Sequence, residues 1–458
     1  MSKLRLLLFL TLAALPLACF GGGVEQPHVP GTQATGKFSP PYPPVIPGQK
    51  FEGRLQLSPD PAHSHIKAHV DTYDAASTAA WDVVHLPSVE VEWVQDGSEV
   101  IPVQRGTQPS PHLYWEWIFE PGQAWPDPDK PGWTRVSLPF SLQERNQNCT
   151  HNGLLSFSFR EDGSITPAIY QVGSETCKYF KADLWGKLKT EYHPADIAGA
   201  AGVIARHREL VASRLPVKPI GSLAEVYAGI NHKAFLPPGP EDVTVYGLVL
   251  DGVHYRGGCE TRFGTHPFCE WLDLPSYSTA KSVFAGLAFM YLEQEYPGFA
   301  DIEVVQLIPQ CRLKDKRWEG VTMRHLLNMS TGNYDDPGYE VDEGAGNVGE
   351  FFLPESHAEK LYFSCNAYHR KAEPGEVFVY HTFDTYLLGT AMNSFIRQKR
   401  GEGSDVFHDV LIGELFEPLR LSPVAHTSKR TYDNEAQAFT GYGLTWNPDD
   451  VARIGAWL

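Results

Sequence analysis

The spacing of apolar residues changes several times along the chain, and each change predicts a different kind of element. Leu6 to Leu17 is an almost unbroken apolar run, too short to span a bilayer as a helix. Residues 20–49 are rich in Gly and Pro, as in Ser39-Pro40-Pro41-Tyr42-Pro43-Pro44, and predict an extended tether. From residue 50 to 193 short alternating runs appear, among them Val89-Glu90-Val91-Glu92-Trp93-Val94 and Leu155-Ser156-Phe157-Ser158-Phe159-Arg160. Turn pairs punctuate them at Asp96-Gly97, Pro121-Gly122, Pro131-Gly132 and Asp162-Gly163. This texture predicts a β-rich, sandwich-like domain. Residues 194–219 read as a helical connector, closed by Pro216 and Pro219.

From residue 220 to 458 the pattern mixes strands and helices, so the chain as a whole is expected to be α+β. Val243 to Leu250 reads as a buried strand. Ser282 to Tyr296 is apolar on several faces until Pro297-Gly298 stops it, which predicts a buried helix.

Composition narrows the function classes. The formal net charge is -17, so nucleic acid and anionic lipid surfaces would be repelled at long range. Lys3 and Arg5 precede the first apolar run, which reads as an export signal over residues 1–19. Ala18-Cys19 followed by Gly21-Gly22-Gly23 looks like a bacterial lipoprotein signal, with Cys19 as the lipidated residue and a membrane tether. Pro16 stands where such signals usually carry Leu, and ordinary cleavage near Ala18 is the other reading. A periplasmic or membrane-anchored location is expected in either case.

Beyond Cys19, cysteines stand at 149, 177, 259, 269, 311 and 365, an even number that suits disulfides in an oxidising compartment. Many connectivities are open; pairing between sequence neighbours is the expectation. No Cys-x-x-Cys occurs, and no metal or organic cofactor is expected. His63, His65 and His69 and the run Tyr114-Trp115-Glu116-Trp117 read as core or surface residues of the β-rich domain. The sequons at Asn148 and Asn328 read as chance.

One tetrapeptide carries chemistry. A serine hydroxyl needs a nearby base to become a nucleophile, and a lysine three positions on lies on the same helix face. Burial favours the neutral amine that can act as that base. Backbone N–H groups at a helix start also face an oxyanion formed at the serine. Ser278-Thr279-Ala280-Lys281 opens the predicted buried helix and supplies this arrangement. Ser64-His65-Ile66-Lys67 repeats the spacing without a helix behind it, so the tetrapeptide alone is weak.

Downstream segments add a resemblance. Glu319 to Gly332, with Thr322 as a predicted helix N-cap, then Pro374 to Gly389, then Tyr442 to Gly455, resemble in order three segments of the serine β-lactamases and penicillin-binding proteins, nearest their class C and esterase branch. The resemblance covers residues 220–458. It implies an antiparallel sheet flanked by helices, and a tyrosine, here Tyr380, that shares proton transfer with Lys281. It also implies a substrate-binding residue at Thr382, where the family usually carries Asn. Ser364-Cys365-Asn366 is a rival for the Tyr380 segment, with poorer neighbours. No Lys-Thr-Gly or His-x-Gly follows Tyr380, and Leu458 falls inside a predicted helix. The hydrolase domain is therefore expected to be incomplete, without its last strands. The resemblance implies an exported serine hydrolase acting through an acyl-enzyme on a small-molecule or peptide substrate: an ester, amide or β-lactam. The alternative is a non-catalytic exported binding protein.

Overall fold

The computed structural model describes residues 35–237, 239 and 243–458. The export-signal stretch and Cys19 lie outside them. Among the described residues no helix is long and apolar enough to cross a membrane. The Pro-rich stretch ends on the fold. A short helix, α1 (Thr35–Phe38), seats Phe38 against Leu154, Phe268 and Trp271.

Nine strands follow: β1 (Gly53–Asp71), β2 (Val89–Asp96), β3 (Glu99–Pro102), β4 (Trp115–Phe119), β5 (Gly122–Pro126), β6 (Thr134–Glu144), β7 (Thr150–Phe159), β8 (Ala168–Thr176) and β9 (Phe180–Pro194). They make one antiparallel sheet. β5 and β4 lie end to end along one edge of β6, and β7 takes its other edge. β9 returns to β1, with Gly53 opposite Pro194, so the meander closes on itself. The sandwich-like packing expected of this half is reached by one curled sheet whose inner faces meet. Phe51, Trp93, Trp115, Trp117, Phe119, Phe140 and Phe159 fill the space between them. Each buried aromatic removes a large apolar area from water, which gives this half its core.

β6 and β7 are buried along their whole length. In β6 the apolar residues Val136, Leu138, Phe140 and Leu142 alternate with Ser137, Ser141 and Gln143. Ser137 donates to Phe38 O at 2.7 Å, and the other two are covered because the second half of the chain packs on them. Ser141 donates to Asp273 Oδ2 at 2.7 Å, and Gln143 bonds Thr445. Asn152 of β7 exchanges two bonds with the Asp273 backbone, both 2.9 Å.

Helix α2 (Ala200–Ser213) leads to a small sheet of β10 (Val217–Pro219), β11 (Val245–Leu250) and β12 (Val253–Gly258), in the order β10-β12-β11. The β11–β12 hairpin turns through Asp251 and Gly252, both at positive φ (49° and 74°), as a two-residue hairpin requires. The remaining helices pack around Phe284, Leu292, Phe395 and Phe407. Three disulfides join Cys149–Cys177, Cys259–Cys269 and Cys311–Cys365, the neighbour pairing expected from the sequence. Together the antiparallel sheet and flanking helices make the α+β fold.

Candidate active site

Leu274–Pro275 forms a two-residue strand against Thr445–Trp446. Ser276 extends this lock: its N–H donates to Leu444 O at 2.8 Å, and its Oγ accepts from Leu444 N at 3.1 Å. The chain then turns sharply at Tyr277, whose φ of 45° lies in the left-handed region. A bulky residue holds such a conformation only when its surroundings impose it. Here the Tyr277 ring packs on the core of the nine-stranded sheet, and its hydroxyl sits 3.3 Å from Cys149 Sγ and 3.4 Å from Thr176 O. The turn leaves Ser278 exposed at the surface.

After Ser278 the backbone makes tight turns, with Lys281 N–H bonded to Ser278 O at 3.0 Å. A turn of this kind eclipses residues three apart. Lys281 Nζ consequently lies 2.9 Å from Ser278 Oγ. The chain then runs through π-helical turns at Lys281–Gly286 into the buried helix Leu287–Glu295. The other Ser-x-x-Lys lies in β1, where residues three apart point to opposite faces, and Ser64 Oγ bonds Asp60 O instead.

Tyr380 precedes the helix Thr382–Arg400 and brings its hydroxyl 2.6 Å from Ser278 Oγ, across 102 positions of sequence. Its ring also lies 4.8 Å from Lys281 Nζ. Thr382, at the helix start, accepts from Lys281 Nζ at 2.9 Å. The rival segment does not reach this place. Ser364 is buried in its own helix and donates to Lys360 O, and Cys365 is bonded to Cys311.

Two further residues join the site that no motif announced. Glu343 accepts from the Thr382 N–H at 2.9 Å and from its hydroxyl. Gly441 offers its carbonyl to Lys281 Nζ at 3.3 Å. A side chain at 441 would stand 2.5 Å from Thr385 Oγ1 and 2.9 Å from Thr382 Cγ2, so only glycine lets that carbonyl approach. Glu343 sits on an acid-rich loop. Its neighbour Asp342 pins that loop by accepting the N–H groups of Asp335 and Asp336, both at 2.8 Å, and by bonding His381 Nε2 at 3.1 Å. Burial disfavours the His381 cation, but Asp384 and Asp342 beside it hold its pKa above the usual value.

The two candidate proton carriers differ in charge state. Burial pulls the Lys281 pKa down to about 8, against Glu343 and Glu340, which raise it. About a tenth of the chains therefore hold a neutral amine at pH 7. Burial pushes the Tyr380 phenol up from its usual value; the Ser278 bond opposes this, and Glu343 and Glu340 add to it. The phenol keeps its proton and donates it to Ser278 Oγ.

Among the described residues one cluster has metal-ligand chemistry. Glu144, Cys149, His151 and Cys177 lie within 4.8 Å of one another, but the two cysteines are bonded to each other, which leaves too few ligands.

Comparison with known proteins agrees with the segment that carries these groups. Residues 274–394 match the β-lactamase family model. The matched stretch takes in Ser278, Lys281, Glu343, Tyr380 and Thr382; Gly441 lies beyond it. The family is one of hydrolases. No curated protein matches the chain. Among solved structures it is similar to a protein described as a 6-aminohexanoate-dimer hydrolase from Bacillus anthracis, at 18% identity over 53% of this chain and 61% of that one, with a TM-score of 0.36. It is also similar to EstCE1, a hydrolase with promiscuous acyltransferase activity, at 18% identity over 46% and 65% (TM-score 0.34). A class C β-lactamase aligns at 16% identity over 46% and 57% (TM-score 0.33). The chain spans about three fifths of the length of these structures.

Proposed function

We propose that this protein is a serine hydrolase that works through an acyl-enzyme. The observation that carries the reading is the meeting of Lys281 Nζ and Tyr380 OH on Ser278 Oγ, at 2.9 and 2.6 Å. Neutral Lys281 takes the Ser278 proton as the oxygen attacks a carbonyl carbon. The proton then passes to the leaving group, by way of Lys281 or the Tyr380 hydroxyl, and the acyl group stays on Ser278. Water, activated by the same amine, releases the acid and restores the serine.

Thr382 in place of an amide side chain favours small esters and amides over β-lactams, because a hydroxyl lacks the amide's separate donor and acceptor. The convergence of the three groups supports an enzyme over a binding protein. The basic start, the apolar run and the three disulfides support export, with Cys19 as the candidate point of lipid attachment.

The test is to label the chain with a fluorophosphonate and, separately, with a fluorescent penicillin, and to map the adduct by mass spectrometry. An adduct on Ser278 that Ser278→Ala abolishes is the expected result, with the fluorophosphonate reacting faster. Absence of any serine adduct sinks the acyl-enzyme reading, and an adduct on another serine sinks the assignment.

A further inference from the structure

A threonine hydroxyl has one hydrogen to give, and an ionised carboxylate can only accept. Thr382 gives its hydrogen to Glu343 Oε1. Thr382 Oγ1 is therefore left to accept from Lys281 Nζ, 2.9 Å away. The Gly441 carbonyl, 3.3 Å from the same nitrogen, is also an acceptor only. A neutral amine has two hydrogens and one lone pair. These two acceptors claim both hydrogens, and the lone pair is left for the hydroxyl of Ser278 at 2.9 Å.

We propose that Glu343 is a positioning residue that, by taking the Thr382 hydroxyl hydrogen, aims the Lys281 lone pair at Ser278. The inference rests on the serine-hydrolase reading and deepens it. The proton balance is simple. The Ser278 proton moves to Lys281 Nζ, which becomes an ammonium with three hydrogens, while Thr382 keeps its hydrogen and Glu343 stays a carboxylate that accepts it. Without Glu343 the Thr382 hydroxyl can turn and donate to the lone pair, which blocks the base. The loop that carries Glu343 is pinned through Asp342, whose bond to His381 is backed by the Tyr368 ring stacked 5.2 Å from the imidazole. Glu343 thus supplies an orientation that the threonine alone does not set.

The experiment measures the rate of fluorophosphonate labelling of Ser278 against pH in the full chain. The variants are Glu343→Ala, Glu343→Gln, Thr382→Val and the double variant Glu343→Ala/Thr382→Val, each checked for an unchanged thermal midpoint. Glu343→Ala is expected to lower the plateau rate about tenfold or more. Glu343→Gln keeps one acceptor oxygen but loses the second, which takes the Thr382 N–H, so its plateau rate is expected to fall between those of Glu343→Ala and the unaltered chain. Its half-maximal pH should fall, because the charge that supports the Lys281 ammonium is gone. In the Thr382→Val background, adding Glu343→Ala should change the rate less than about twofold, because the two side chains act as one unit. A wild-type rate in Glu343→Ala overturns the inference. So does the same fold loss with and without Thr382, or a Glu343→Gln profile with no downward shift. If Glu343→Ala does not fold, the Glu343→Gln profile decides alone. Absence of labelling on Ser278 in the unaltered chain has a different meaning: it overturns the serine-hydrolase reading, and this inference with it.

Discussion

Replacing Lys281 with methionine is expected to destroy reactivity and to weaken the fold more at high pH than at neutral pH. Burial takes the lysine from its ordinary 10.5 to about 8. At 1.36 kcal/mol for each tenfold change, keeping the ammonium at pH 7 costs about 3 kcal/mol, trimmed to roughly 1–2 kcal/mol by the solvent that reaches this half-buried chain. The folded pKa lies below the unfolded one. The folded chain therefore binds fewer protons between about 8 and 10.5, and stability rises with pH through that window. Methionine removes the cost but also gives up the bonds to Ser278, Thr382 and Gly441. Three such bonds, at about 0.5–1.5 kcal/mol each, at least offset that cost, so the variant should lie near or below the parent at pH 7 and fall roughly a further 1 kcal/mol behind it by pH 10. Urea unfolding followed by tryptophan fluorescence, at both pH values and on both proteins, reads the difference. Fluorophosphonate labelling of the variant reads the lost reactivity. A variant less stable than the parent by the same amount at pH 7 and pH 10 refutes the reasoning, because Lys281 would then carry no desolvation cost.

Tyr380→Phe removes the donor 2.6 Å from Ser278 Oγ and should slow labelling about 10²–10³-fold. Because burial pushes the phenol above its usual value, any alkaline decline in labelling rate should come at higher pH than a free phenol would give. Gly441→Ala places a methyl group 2.5 Å from Thr385 Oγ1; it should cost about 1–3 kcal/mol in urea unfolding and slow labelling more than about tenfold by pushing the carbonyl off Lys281. Replacing Cys149 and Cys177 by serine opens a loop of 28 residues and should lower stability by about 3 kcal/mol, read as a fall in thermal midpoint. The same change removes the sulfur against which the Tyr277 hydroxyl rests, so labelling of Ser278 should slow several-fold.

The short-range features of this protein were legible before its structure. Alternation marked the strands, the apolar run after Lys281 marked the buried helix, and the spacing of Ser278 and Lys281 survives as a 2.9 Å contact. Features that depend on distant partners were not. Nothing in β1 or β9 announces that Gly53 meets Pro194, because a strand edge carries no mark of the edge it will pair with. Ser141 and Gln143 look solvent-facing by their alternation, yet both are buried, because Asp273 and Thr445 come from far along the chain to meet them. Glu343 was hidden for the same reason. Among its acidic neighbours it is indistinguishable in sequence, and only the bonds to Thr382, 39 positions away, set it apart.

The polar contacts between the two halves have a thermodynamic consequence. Asp273 is fully buried, and so, nearly, are Glu116 and Lys429, which pair across the junction at 3.2 Å. Pulling the halves apart would leave each of these groups facing a surface built for its partner, and would expose the outer faces of β6 and β7. Neither half then has a complete interior of its own. The chain should melt in one cooperative transition, and excising residues 53–194 should leave the remainder without the platform on which Tyr277 turns. The junction near residue 195 is thus a boundary of topology, where one architecture stops and another starts, but not a boundary of stability.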